Sequence, residues 1–242
     1  MKADDKIMTA SKRTDIDTPH DGIFKTYLRK KFQCIYKSIR MPEQVQKLSH
    51  IEHIIKRPDS YVGPTSKTCE QYWVLNNDKF VQQSVNYSPA LLKIFDEILV
   101  NAIDRNSLYP NDVTSINACV DIATGIISIE NNGPLGGICV QEHPTEKIWN
   151  PELTFGHLLT STNYDDSEKR IVGGRNGYGS KLTNVYSKLF MVTIYDSENN
   201  LKYSQKWENN MTKVSKAKIT KCSKKNSSVN ITFVPEIGRA HV

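Results

Sequence analysis

From Pro89 onward the chain sets apolar residues at Leu91, Leu92, Phe95, Ile98, Leu99 and Ala102. This i, i+3, i+4, i+7 recurrence predicts an amphipathic helix over 89–105. Ser88 is placed to cap it and Pro89 suits its first turn. The polar residues Glu97, Asn101 and Asp104 fall on one further face, read as roughly opposite the apolar stripe. A shorter period holds elsewhere. Segments 113–130, 190–208 and 228–235 are rich in Val, Ile, Phe and Tyr and read as strands. Within the first, Ile126, Ile127 and Ile129 follow the turn residues Thr124-Gly125. Residues 67–85 read as strand segments, with Trp73 and Val74 beside the turn formers Asn76-Asn77-Asp78. Leu182, Val185, Tyr186 and Leu189 suggest a second helix. The sum is an α+β domain with helices on one face of a mixed, mainly antiparallel sheet. Residues 1–40 are polar apart from Ile23, Phe24, Tyr27 and Leu28, and read as a mobile arm. No internal repeat is visible.

Three polar segments carry candidate chemistry. Gly173-Gly174-Arg175-Asn176-Gly177-Tyr178-Gly179-Ser180-Lys181 removes side chains where a backbone must turn tightly and approach a ligand. Backbone N–H groups leading into a helix, with Arg175 and Lys181 nearby, suit a polyphosphate. The run has neither the Walker spacing nor the strand context of a dinucleotide fold. Taken alone it equally fits a flexible surface loop. On the predicted helix, a carboxylate can activate water and an amide oxygen can ligate a hard cation such as Mg²⁺. Taken alone that row is an ordinary solvated face. After the 126–129 strand, Asn131-Asn132-Gly133 could set an amide against a purine edge, or simply turn the chain.

Composition narrows the classes. The 242 residues hold one large domain or two small ones, and no apolar run approaches a membrane span. Met1 to Asp21 is too polar for a secretory signal. Five scattered cysteines without metal spacing suggest free thiols in a reduced compartment. The net charge is +6, with lysines crowded between Lys202 and Lys225. That run reads either as a solvated hairpin or as a face toward DNA backbone.

In this order the three segments resemble the nucleotide site of the GHKL ATPases, the family that includes gyrase and the histidine kinases. Leu92 to Ala102, Leu159-Thr160-Ser161-Thr162-Asn163-Tyr164-Asp165-Asp166 and Gly173 to Lys181 look like the ATPase domain of eukaryotic-type type II DNA topoisomerases. Ile51 to Gly63 resembles that family's opening segment, and the match spans about residues 48–235.

The resemblance implies a GHKL (Bergerat) two-layer sandwich over 41–235, with ATP and Mg²⁺ as ligands. It implies Glu97 as general base, Asn101 as the Mg²⁺ ligand and Asp104 as its support. It further implies Asn131 at the adenine and Phe155 lining the base pocket. Ser161, Thr162 and Asn163 would meet ribose and phosphates, and Arg175, Asn176, Gly177, Tyr178, Gly179, Ser180 and Lys181 would form a lid over the triphosphate. The implied parent forms a homodimer with ATP and passes one DNA duplex through another, has no membrane partner, and is nuclear if from a eukaryotic cell and otherwise intracellular.

Two departures stand out. Gly133-Pro134-Leu135-Gly136-Gly137 is two residues longer than the family's turn, with Gly137 taken as the matching second glycine. Ser161-Thr162-Asn163 replaces Ser-Ser-Asn. Residues 236–242 look like the translation of an adapter oligonucleotide, so a non-native tail is expected there. The chain is then expected to be a fragment that binds ATP, hydrolyses it weakly and stays largely monomeric. The alternatives are another GHKL ATPase or kinase domain, or a nucleotide-dependent dimerisation module without turnover.

Overall fold

The computed structural model describes residues 45–160 and 178–237. Contacts divide the chain into Met1–Lys47 and Leu48–Val242, and the second unit holds all the elements described below. The arm predicted over 1–40 and its boundary lie outside the described residues.

Helix α1 (His50–Lys56) carries a capping box. Ser49 Oγ accepts from Glu52 N at 3.3 Å, and Ser49 N donates to Glu52 Oε2 at 2.8 Å. Strands β1 (Thr68–Asn76) and β2 (Lys79–Tyr87) form a separate two-stranded hairpin, turning where Asn77 and Asp78 take φ of 46° and 62°. Helix α2 (Pro89–Leu108) follows, with Ser88 Oγ accepting from Leu91 N as its cap. Strands β3 (Ile116–Asp121) and β4 (Ile126–Asn132), helix α3 (Asn150–Gly156) and helix α4 (Gly179–Val185) come next. The chain then runs through β5 (Ser187–Asp196), β6 (Leu201–Glu208), β7 (Lys213–Val214), β8 (Lys218–Lys221) and β9 (Ser228–Pro235).

These strands form one seven-stranded sheet in the order β3-β4-β9-β5-β6-β7, with β8 also on β6. Every pairing among the described strands is antiparallel, in keeping with the mainly antiparallel sheet expected from the sequence. The strands alternate as a half-covered sheet must. Phe190, Val192 and Ile194 of β5, Tyr203 and Trp207 of β6, Val229, Ile231 and Phe233 of β9, and Ile127 and Ile129 of β4 are buried on one face. Helices α2 to α4 join that core. Met191, Thr193 and Tyr195, between the buried β5 positions, keep partial exposure on the other face.

Two local readings need correction. The buried stripe of α2 is Ala90, Ile94, Ile98 and Ala102, while Leu91 and Leu92 remain 39% and 40% exposed. Glu97 and Asn101 each follow a stripe residue by three positions, about 60° round the helix. They therefore run along the margin of the packed face rather than opposite it. The second helix stops at Val185, and Leu189 belongs to β5. At that junction Ser187 Oγ donates to Thr183 O at 2.6 Å. Tyr186, just past the helix end, is held by a 2.5 Å hydrogen bond from its hydroxyl to Ile54 O. Beyond β9, Glu236 N donates to Tyr186 O at 2.8 Å and Ile237 packs on the core, so the first two residues of the suspected tail dock on the domain. Cys69, Cys119, Cys139 and Cys222 are free thiols, as expected.

Asp196, at the end of β5, is 2% exposed and fastens the loop after β4. Its Oδ2 accepts from Val140 N at 2.7 Å and Asn199 Nδ2 at 2.8 Å, and its Oδ1 accepts from Asn199 N at 3.0 Å. Burial pushes this carboxyl up. Hydrogen bonds from the Asn199 side chain and from the backbone of Asn199, Val140 and Glu198 overcome that and leave it below the usual carboxylate range. In Asp196→Asn one of these donors would face another donor, so the cost is about 1–3 kcal/mol at pH 7. A lowered folded-state value stabilises above the ordinary carboxylate range and is lost as pH falls through the folded value. Chemical denaturation of both forms should therefore show a gap at pH 7 that closes on acidification.

Candidate active site

The site is built where α2 meets α4. Thr183 Oγ1, fully buried, donates to Ile94 O at 2.8 Å and locks the two helices together. One turn further along α2, the Glu97 carboxylate lies directly against Gly179, the first residue of α4. A Cβ at Gly179 would overlap Glu97 Oε2. Glycine there is thus a requirement of close approach. Glu97 is also ion-paired with Lys93 one turn back, and its side chain keeps 21% exposure. A carboxylate so placed is anchored yet open to water. Asn101, one turn on, is exposed, and Asp104 is half-buried. Glu97, Asn101 and Asp104 therefore lie along one edge of α2, with Glu97 against the start of α4.

Helix α4 is nearly all buried, which is unusual for a sequence as polar as Gly-Ser-Lys-Leu-Thr-Asn-Val. Its polar groups are used internally. Asn184 Nδ2 donates to Phe155 O at 2.9 Å, and its Oδ1 has no described partner. Lys181 is 3% exposed, and its Nζ donates to Thr160 O at 2.5 Å. Burial lowers the Lys181 ammonium from its ordinary value to about 8. Ser180 is buried beside it, and Tyr178 at the N-cap offers no side-chain cap to the first turn. The Tyr178 hydroxyl instead meets His50 Nε2 at 3.1 Å, with its ring 6.3 Å from that of Tyr61. Tyr61 in turn contacts His53 Nδ1 at 2.8 Å. The opening segment thus braces the end of the glycine run.

At the far end of α2, Arg105 Nη2 donates to Leu135 O at 2.5 Å. Gly136 adopts φ +56°, and a side chain there would strike the Arg105 guanidinium. Within this turn the glycines with positive φ are Gly133 and Gly136. Asn131 and Asn132 divide their work. Asn132 Oδ1 accepts from Thr114 N at 3.0 Å and Ser115 N at 2.9 Å, which makes it a turn-forming residue. Asn131 is buried at 9% exposure, and its described side-chain hydrogen bond is the weaker 3.1 Å contact from Nδ2 to Asn132 O.

Phe155, expected to line a base pocket, sits in the hydrophobic core with its ring 6.3 Å from Phe190. Ser161, Thr162, Asn163, Arg175, Asn176 and Gly177 lie outside the described residues. Thr183, Asn184, Arg105 and Asp196 were not singled out in the sequence. A polar run inside a helix that abuts a glycine loop was the available signal for the first two.

Among the described residues no three His, Cys, Asp or Glu side chains gather to hold a metal. An exposed amide beside two carboxylates is an incomplete, hard-oxygen donor set. It fits a cation that brings most of its ligands with a phosphate, as Mg²⁺ does.

Comparison with known proteins supports the fold. The chain is 46% identical over 195 residues to a DNA topoisomerase 2 of Arabidopsis thaliana, covering 81% of the chain and 13% of that protein. It is 42% identical over 199 residues to that of Saccharomyces cerevisiae, covering 81% and 14%. The chain thus spans about a seventh of the length of the curated relatives it matches. The crystal structure of the ATPase region of Saccharomyces cerevisiae topoisomerase II superposes with a TM-score of 0.76 at 43% identity, over 79% of this chain and 50% of that one. The ATPase and transducer domains of DNA topoisomerase II from Balamuthia mandrillaris give 0.77 at 44%, over 84% and 53%. The ATPase domain of Thermus thermophilus gyrase B, 18% identical with a TM-score of 0.54 over 78% of this chain and 40% of that one, shares the fold. No protein-family model matches the chain. The fold, the α2–α4 site and these likenesses together make the chain a member of the eukaryotic-type type II DNA topoisomerases, in their GHKL-type ATPase region.

Proposed function

We propose that this chain binds ATP between α2, α4 and the loop after β4, and hydrolyses it as the nucleotide-operated part of a DNA topoisomerase. The observation that carries the reading is the Glu97 carboxylate packed on Gly179 at the start of the glycine-run helix. It places a proton acceptor next to backbone suited to phosphate.

In this reading Glu97 accepts the proton of the attacking water. Asn101 ligates Mg²⁺, with Asp104 supporting that shell. The cation supplies neutralisation of phosphate charge. Asn131 reads the adenine edge. Gly179, Ser180 and Lys181, with Arg175, Asn176 and Gly177 preceding them, wrap the triphosphate, while Ser161, Thr162 and Asn163 meet ribose and phosphate. Tyr178 serves by bracing the loop against His50. Such chemistry needs positioning and charge neutralisation more than covalent steps. Phe155 supports the site from beneath. The whole protein would act as a nuclear homodimer on duplex DNA, and full turnover would call on the region that follows in the relatives.

Glu97→Gln should leave ATP binding nearly intact and lower hydrolysis by about 10²–10⁴-fold. The measurement is nucleotide titration plus turnover, the latter in a chain extended through the region that follows in the relatives. Wild-type turnover in the Gln form would rule out Glu97 as the base.

Lys181 makes the binding step pH-dependent. Its folded value of about 8 lies below the ordinary lysine value, so the buried charge disfavours folding below pH 8, and stability rises as pH increases toward the unfolded value. Phosphates favour the charged form. ATP affinity should be full below about pH 8 and weaken by up to tenfold per pH unit above it. Lys181→Gln should bind more weakly at pH 7 and lose this slope. Calorimetric titration across pH 7 to 9.5 gives the comparison, and a flat wild-type profile would remove Lys181 from the phosphate site.

A further inference from the structure

All of the chain's net charge sits on one flank of the sheet. Residues 201–235 contain eight lysines and one acidic residue, Glu208, whereas the remaining 24 basic and 25 acidic residues nearly cancel. The register decides where this charge points. Lys202, Ser204, Lys206 and Glu208 alternate with the buried Tyr203, Gln205 and Trp207, so they stand on the sheet face away from the helices. Lys218 pairs with Ser204 and Lys213 with Glu208, which puts both on the same face.

From the adjoining strands comes a second grouping. Lys202 Nζ lies 4.9 Å from the centroid of the Tyr195 ring and Lys224 Nζ 4.3 Å from the same ring. Two ammonium groups are thus gathered at one aromatic ring, although like charges repel. The acids within reach are few. Glu208 meets Lys206 at 3.2 Å and Lys213 at 3.5 Å, and Glu130 meets Lys224 at 3.8 Å. Lys202 and Lys218 take part in no described ion pair. The face between them is hydroxyl- and amide-bearing, through Thr193, Ser204, Asn230 and Thr232. A flat polar face with cations spread along two strands suits a regular, extended polyanion.

We propose that this open face of the sheet is a contact surface for the phosphate backbone of duplex DNA, separate from the nucleotide site on the helical side. The choice of DNA rests on the proposed function above. The contact is electrostatic and sequence-independent, with Lys202, Lys206, Lys218 and Lys224 each meeting a phosphate.

The test is fluorescence anisotropy of a labelled duplex of about 20 base pairs, two helical turns, with the nucleotide-free chain. Salt is varied between about 50 and 200 mM. Replacing Lys202, Lys206, Lys218 and Lys224 by Gln together should weaken binding at low salt at least tenfold. It should also flatten the plot of log affinity against log salt by about 3–4, near 0.9 per lost phosphate contact. Lys79→Gln with Lys147→Gln removes the same kind of charge elsewhere and should leave the slope unchanged. Thermal melting checks folding. Should the fourfold change lower it, Lys202→Gln with Lys206→Gln carries the test, with a slope loss of about 2.

An unchanged slope in a folded variant overturns the proposal. So does a wild-type chain that binds heparin but not duplex. ATP titration of the same variants is read separately: loss of DNA binding with intact nucleotide binding supports the surface, and failure of nucleotide binding alone bears only on the ATP reading.

Discussion

The contact between a carboxylate on α2 and a backbone with no side chain on α4 is the constraint on which the site depends. Glu97 can lie where it does only because residue 179 is glycine, and α4 can come so near only because Thr183 is bonded to Ile94 O. Thr183 is fully buried, so its hydroxyl would be costly to leave unpaired. Packing of two helices and placement of the Glu97 carboxylate are therefore one arrangement. The ion pair with Lys93 adds direction on the solvent side, where such a pair contributes little stability.

Around that contact the domain separates its tasks by face. The helical side of the sheet holds the core and the proposed nucleotide site. Loops that shape the site are tied down by buried or partly buried polar groups, Asp196 on Val140 and Arg105 on Leu135. The opposite side, where Met191 and Tyr195 keep partial exposure, is free to bear charge. Antiparallel sheets covered on one face permit this division, because alternate residues of a strand serve different environments. It lets lysines accumulate on β6 to β8 without burying a charge.

Much of the fold was legible in the sequence, for physical reasons. The α2 segment shows a clear helical period with Ser88 and Pro89 at its start, and β5, β6 and β9 show strand composition. The packed face of α2 is not legible in the same way, because Leu91 and Leu92 are apolar yet exposed, and apolar content alone does not say which side meets the core. The end of α4 was missed because Tyr186 and Leu189 continue an apolar pattern that belongs to the next strand. Glu97, Asn101, Asp104, Asn131 and the glycine run are legible in the sequence as motifs. That Asn131 rather than Asn132 is available depends on Thr114 and Ser115, eighteen and seventeen residues away from Asn132, which no local pattern reveals. The pocket role of Phe155 comes from family likeness alone; in the structure its ring lies in the core beside Phe190.

The most direct test of the central contact is Gly179→Ala. Gly179 has no positive φ, and alanine favours a helix over glycine by about 1 kcal/mol, so the backbone itself should accept the change. The added methyl must instead displace the Glu97 carboxylate. ATP turnover and thermal melting should be measured together, in a chain extended through the region that follows in the relatives. The account predicts a melting temperature equal to or above that of the parent, with turnover reduced by at least about 10²-fold. Unchanged turnover in a folded Gly179→Ala protein would contradict it.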